Sequence, residues 1–318
     1  MSIIIFLSLT CMPLMDVLIT PDINPQPHPQ PAPFLVVLGN VQDGGSPHIG
    51  CTKSCCAVLW GHPDPKRKVT CLGLVDPVNE QSFIFEATPD FPEQLKALHR
   101  FTPFQKDDIP NGIFLTHAHI GHYSGLMYLG KEAFNSHQTE VFVMPKMQIF
   151  LEKNGPWNQL INEKNIEIQP LTNQVHHQIN SLIKVKPFLI PHRDEYSETV
   201  GYQIEGPNKT ALFIPDIDKW HEWGEDITHK ITLVDYAFID GTFLDSDEIN
   251  HRDISEIPHP FISETMDLFS SMPLKEKNKI YFIHLNHTNP GLDNHSEQAK
   301  KIRNLGFHVA HYLEEFPL

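Results

Sequence analysis

Short apolar runs that stop at a glycine or a polar residue recur along the chain, and each reads as a buried strand. The first is Pro33-Phe34-Leu35-Val36-Val37-Leu38-Gly39. Others end at Phe83-Ile84-Phe85-Glu86-Ala87-Thr88 and run through Gly112-Ile113-Phe114-Leu115-Thr116. Further candidates are Val141–Met144, Ile183–Ile190, Thr199–Ile204, Thr210–Ile214, Ile231–Ile239 and Lys279–Ile283. Helical spacing is expected over Phe91–Arg100, Tyr123–Phe134, Ser263–Met272 and Ser296–Leu305. No period of roughly 20–50 residues recurs, which argues against a solenoid or propeller. Strand-rich and helical stretches alternate twice, a pattern met by two mixed sheets with helices outside. Polar loops at successive strand ends would then gather along one edge.

The first thirty residues differ in character. Ile3 to Leu9 is almost wholly apolar, and a Pro-rich tract from Pro21 to Pro31 follows. That pairing reads as an export segment over 1–20, a stiff linker over 21–33 and a folded domain over 34–318. Cys11 stands where a lipoprotein carries its lipid anchor, which would place the protein in the periplasm or on a membrane. A frayed extension on a cytoplasmic protein is the alternative.

Composition sharpens the picture in two respects. The chain of 318 residues has 24 Lys and Arg against 39 Asp and Glu, a formal charge of −15. That balance disfavours a nucleic-acid backbone as partner and leaves a small-molecule substrate as the expectation. It also holds 20 histidines, several clustered at strand ends.

The densest cluster is Thr116-His117-Ala118-His119-Ile120-Gly121-His122. His117 and His119 alternate off an extended chain and so share a face, and His122 swings back from the start of a helix. Neutral imidazoles suit zinc and other first-row metals. His-x-His-x-x-His after a strand resembles the signature of the metallo-β-lactamase superfamily. Later segments are similar to that family's landmarks in order. His192 precedes Arg193-Asp194-Glu195-Tyr196, as in the tRNase Z-like branch; Asp216 ends Leu212-Phe213-Ile214-Pro215; His284 ends Lys279-Ile280-Tyr281-Phe282-Ile283. Asp43-Gly44-Gly45-Ser46-Pro47-His48, Ala87-Thr88-Pro89-Asp90 and Asp240-Gly241-Thr242-Phe243 resemble the subgroup of coenzyme PQQ synthesis B proteins.

The resemblance implies a four-layer αββα sandwich, an α/β fold, holding one or two zinc ions, with iron or manganese as other candidates. His117, His119, His192 and Asp216 would hold the first ion, and His122, Asp216 and His284 the second. Where most of the superfamily has an aspartate, this chain has Gly121, so the second ion lacks a carboxylate. His287 is expected either to replace it or to contact substrate. Members of the PQQ subgroup lack the first two motif histidines, which this chain keeps. Metal-assisted hydrolysis of an ester, lactone, amide or phosphodiester bond is therefore expected, with Asp216 assisting the water. His259 is either the proton donor to the leaving group or a plain loop imidazole. An iron-dependent oxidase and a metal-binding accessory protein without turnover are the alternatives.

Cys51, Cys55 and Cys56 leave three readings open: a structural zinc site completed by His48 or Cys71, a disulfide, or neither. Asp43, Glu195 and Asp90 are candidates for orienting ligand histidines. Trp220 and Trp223 would wall the cleft or pack in the core. Neither a Walker nor a dinucleotide-binding glycine pattern occurs.

Overall fold

Among the described residues fourteen strands alternate inward and outward side chains, and that period of two sorts their apolar residues into three cores. The computed structural model describes residues 31–249 and 257–318. Residues 32–318 form one compact unit. The segment 1–20 expected to serve in export, most of the expected linker and Cys11 lie outside the described residues. Among the described residues no helix is long and apolar enough to cross a membrane.

The first sheet holds β1 (Phe34–Gly39), β2 (Cys71–Asp76), β3 (Gln81–Phe85), β4 (Gly112–Phe114), β5 (Thr139–Val143) and β6 (Ile166–Pro170) side by side. The second runs in order through β7 (His177–Gln178), β8 (Lys184–Leu189), β9 (Val200–Glu205), β10 (Thr210–Ile214), β11 (Tyr236–Asp240), β12 (Ile280–Ile283) and β13 (His308–Val309). The last strand, β14 (Glu315–Pro317), returns antiparallel to the edge of β1. Strands β3 to β6 are parallel, as are β10 to β13.

Leu35, Val37, Phe85 and Phe114 of the first sheet face Val185, Tyr202, Phe213 and Phe238 of the second. Phe114 stacks on Phe85 at 4.9 Å and on Phe142 at 4.3 Å. Each such ring contributes roughly 1.5–3 kcal/mol by leaving water. The alternate residues Val36, Leu38 and Ile84 turn outward and are covered by the helix Phe91–His99 through Leu95 and Leu98. On the far side Leu212, Ile214 and Phe282 are covered by Ile262–Leu268 and Glu297–Asn304. The Ser296 hydroxyl accepts from Ala299 N at 3.0 Å and starts the last of these helices. The layers are helix, sheet, sheet, helix, the αββα sandwich expected.

Two expected elements differ. Ile231–Ile239 divides into a helix, Ile227–Thr232, and a strand that begins only at Tyr236. Tyr123–Phe134 is not one helix: a single turn, Ile120–Tyr123, runs into a 3-10 segment, Ser124–Leu129. Gly125 explains the tight packing there, since a Cβ would lie 2.4 Å from Thr88 O.

Candidate metal centre

Six chemistry-bearing residues stand just past, or at, the carboxyl ends of strands, along one edge of the sandwich. Glu86 follows β3, His117 follows β4, His192 follows β8, Asp216 follows β10, Asp240 ends β11 and His284 follows β12. Parallel strands in each sheet deliver their ends to the same side, so residues far apart in sequence meet. Glu86 and His284 adopt left-handed backbone conformations, φ 85° and 64°, which L side chains rarely hold. That strain is tolerated at the site and held by the surrounding packing.

Asp216 is the hub. Its Oδ2 lies 3.3 Å from His192 Nε2, 3.5 Å from His117 Nε2, 3.7 Å from His122 Nε2 and 4.0 Å from His119 Nδ1. His117, His119, His192 and Asp216 each turn one donor atom to a common point. The far nitrogens are held. Thr116 Oγ1 is 2.8 Å from His117 Nδ1, Asp218 Oδ1 is 2.8 Å from His192 Nδ1, and Glu195 Oε2 is 3.1 Å from His119 Nε2. These contacts fix which nitrogen of each ring faces inward.

His122 approaches from the opposite side, its Nδ1 3.5 Å from Glu86 Oε1. The backbone locks it there: Ala87 N donates to His122 O at 2.9 Å and Gly125 N to Ala87 O at 2.8 Å. His284 Nδ1 meets Thr242 Oγ1 at 3.0 Å. A further imidazole, His259, places Nδ1 2.9 Å from Asp240 Oδ2 and 3.3 Å from Asp216 Oδ1. Asp240 is fully buried and also accepts from Ile217 N, Thr242 N and Thr242 Oγ1. Its oxygens are thus saturated and aim His259.

Burial alone would push His192 down, but Asp216 and Asp218 override it and lift it to about 10. Burial likewise opposes Glu86 and Asp216 at His122, which rises to about 9. His117, buried beside His122, is held well below the usual range. Burial would raise Asp216, yet His192 and His259 drive it well below the carboxylate range. A carboxylate so depressed suits an anchoring charge better than a proton acceptor.

The buried nitrogens His117 Nε2, His122 Nε2 and His284 Nε2, and Asp216 Oδ1, have no hydrogen-bond partner. Orphaned buried polar atoms are costly, and donors converging without partners fit a cation between them. The residues therefore suit one or two first-row metal ions. A cavity of about 920 Å³ opens beside them, lined by Gln42, Arg193, Asp218, Thr242 and His259 among others.

His287 is not in this centre. It lies with Cys51, Cys55 and Cys56, whose donor atoms come within 4.8 Å of one another, and its ring stacks on His48 at 4.4 Å. Cys51 and Cys55 sulfurs are 3.8 Å apart, Cys55 and Cys56 3.9 Å. Those separations are too long for an S–S bond and match the edge, about 3.8 Å, of a tetrahedron built on Zn–S bonds of about 2.3 Å. Burial and the Cys51 sulfur push the Cys55 thiol up to about 12, so a cation is what would let it ionise. The fourth residue is His287, neither of the two expected. Cys71 is buried in β2, and His48 offers its backbone N to Cys56 Sγ at 3.3 Å.

The other candidates separate. Glu195 reaches His119, whereas Asp90 caps Val69 N at 2.7 Å and pairs with Lys68. Trp220 and Trp223 donate to Thr265 and to Leu189 O and pack under the outer helices. Glu86, Asp218 and Asp240 had no assigned role. Asp218 and Asp240 carried a signal, the first lying two residues past the expected ligand Asp216 and the second opening an Asp-Gly-Thr turn after a strand.

Comparison with known proteins identifies the family and the fold. Residues 74–285 match the family model described as the beta-lactamase superfamily domain. Coenzyme PQQ synthesis protein B of Methylorubrum extorquens strain PA1 is 23% identical over 298 residues, covering 87% of this chain and 97% of that protein. The crystal structure of zinc-bound PqqB from Methylobacterium extorquens superposes with a TM-score of 0.75 at 21% identity, covering 90% of this chain and 100% of that one. A diphosphatase of the PhnP family gives 0.62 at 19% identity, covering 90% and 98%.

Proposed function

Since the chain belongs to the metallo-β-lactamase superfamily, we propose that its histidine–aspartate centre binds one or two zinc ions and hydrolyses an ester, lactone, amide or phosphodiester bond in a small molecule. The observation that carries this reading is the convergence of His117, His119, His192 and Asp216 on one point with buried nitrogens left over. Zinc, when bound to such a set, lowers the pKa of water to about 7 and polarises the bond under attack.

The side chains supply the rest. Asp216 stays ionised among the imidazoles and orients the attacking water. His259 is pushed up against burial by Asp240 and Asp216, which favours its protonated form. Its Nδ1 is held by Asp240, which leaves the opposite ring edge, on the cavity wall, to deliver that proton to the leaving group. Arg193 and Lys53 on the cavity lining suit an anionic portion of the substrate. The Cys51, Cys55, Cys56 and His287 group takes a structural zinc.

Turnover of a panel of phosphodiesters, esters and lactones by zinc-loaded protein tests the reading. His117→Ala is expected to abolish it, and full activity without oxygen separates hydrolysis from oxidation. A zinc-loaded protein inert across the panel would sink it.

A further inference from the structure

Resting on the metal centre proposed above, we infer that Asp43 is a ligand of the second ion, carried to it by the Gln42-Asp43-Gly44-Gly45 loop rather than by the histidine motif itself. The second half of the centre, as the superfamily resemblance implies it, is His122, His284 and the shared Asp216, and Asp216 and His284 also converge with Asp240 and His259. Two neutral imidazoles and one carboxylate already committed to the first ion leave a divalent cation short of charge and of donors.

Position 121, immediately before His122, is where a carboxylate on the motif helix would project. It is a glycine, and the reason is steric. A Cβ built on Gly121 would lie 2.0 Å from Asp43 Cβ and 2.9 Å from Asp43 Cα and Cγ. Asp43 occupies the space that a side chain at 121 would fill. The glycine here is not in a left-handed conformation, so clearance is what it provides.

The loop is tied to the other ligand as well. Gln42 N donates to Leu285 O at 2.8 Å and Leu285 N to Asn40 O at 2.8 Å, directly beside His284. The Gln42 amide donates to Asp43 Oδ1 and orients the carboxylate. Asp43 therefore sits between the residue before His122 and the residue after His284, and its charge bears on both imidazoles. His122 Nε2 and His284 Nε2 are buried without partners on this side of Asp216. The carboxylate has changed its place in the sequence while keeping its place in space.

The test counts metal and locates it. Wild-type protein, Asp43→Ala, Asp43→Asn and the exchange variant Asp43→Gly with Gly121→Asp are loaded with zinc, dialysed, and analysed for zinc per chain, with anomalous diffraction at the zinc edge to place the ions. Asp43→Ala and Asp43→Asn are expected to lose about one equivalent, from the position between His122, His284 and Asp216, with at least a tenfold weaker dissociation constant. The exchange variant is expected to regain that ion. Asn keeps the shape of the side chain, so loss in Asp43→Asn at an unchanged melting temperature excludes misfolding. Retention of the ion by both single variants overturns the assignment and leaves the proposed function standing. A wild-type protein with no ion at either position overturns both.

Discussion

At the scale of single residues the centre depends on groups that never touch the ion. Glu86 is fully buried, strained in its backbone and faces His122 Nδ1 at 3.5 Å. Its negative charge beside Nδ1 favours a proton on that nitrogen, which leaves Nε2 to face Asp216. Glu86→Ala should weaken the second ion roughly 10–100-fold, read by zinc titration against a competing chelator. Glu86→Gln should recover part of that, since an amide oxygen in the same place still favours a proton on Nδ1. Equal affinities in all three proteins would show that the contact is incidental. A residue outside the candidate metal groups gives the pH test. Burial pushes Glu314 up, while its Oε2 accepts from His311 N at 3.0 Å. A raised folded-state pKa means that stability is present in acid and lost as pH rises through that value. Glu314→Gln should therefore melt higher than wild type at pH 8, the gap closing towards about pH 4, where the carboxyl is protonated in both states. The convergence of His117, His119, His192 and Asp216 was legible in the sequence because strand-end histidines at fixed spacing have few other uses. Glu86 was not, because a lone acid at a strand end carries no spacing signal. As a replacement ligand for the second ion His287 was misplaced, because its nearness to His284 in sequence says nothing about which way the chain turns after β12; it does line the cavity.

At the scale of elements, what matters is how the two sheets hold their strand ends level. Tyr202, fully buried on β9 of the second sheet, donates its hydroxyl to Leu115 O, two residues before His117 on the first. Ser197 Oγ accepts from Ala118 N at 2.8 Å, between the two motif histidines. These cross-sheet bonds set the height of the His117 strand against the His192 strand. Tyr202→Phe leaves the Leu115 carbonyl buried without its partner and should cost about 1–3 kcal/mol in urea unfolding at constant m value. It should also weaken the first ion, because the registry of His117 relaxes. A stability loss with unchanged zinc affinity would confine the bond to a packing role. Strands with continuous apolar runs were readable, whereas Cys71–Asp76 was missed because its core is broken by Gly73. The opposite error occurred at Ile231–Ile239. There Asp226 caps a helix through Thr228 N, and helix and strand share one apolar stretch.

At the scale of the molecule, the cysteine group joins parts that sequence separates widely. Cys51, Cys55 and Cys56 belong to the loop and short helix after β1, in the first sheet, and His287 to the turn after β12, in the second. The zinc ion proposed there would close a loop of more than two hundred residues and clamp the segment that carries Asp43 to the segment that carries His284. Binding energy that exists only in the folded chain adds to its stability. Cys51→Ser with Cys55→Ser should therefore lose about one zinc equivalent and melt several degrees lower. Because such a clamp would also hold the Asp43 loop, the same variant should bind the second ion of the centre more weakly and leave the first, built from His117, His119 and His192, unchanged. Extended absorption fine structure supplies an independent reading: sulfur scattering at about 2.3 Å should vanish in the variant while nitrogen scattering persists. If sulfur scattering is absent from wild-type protein, the clamp does not exist, and the closeness of the three thiols reflects only the turn that brings Cys51 back to the helix.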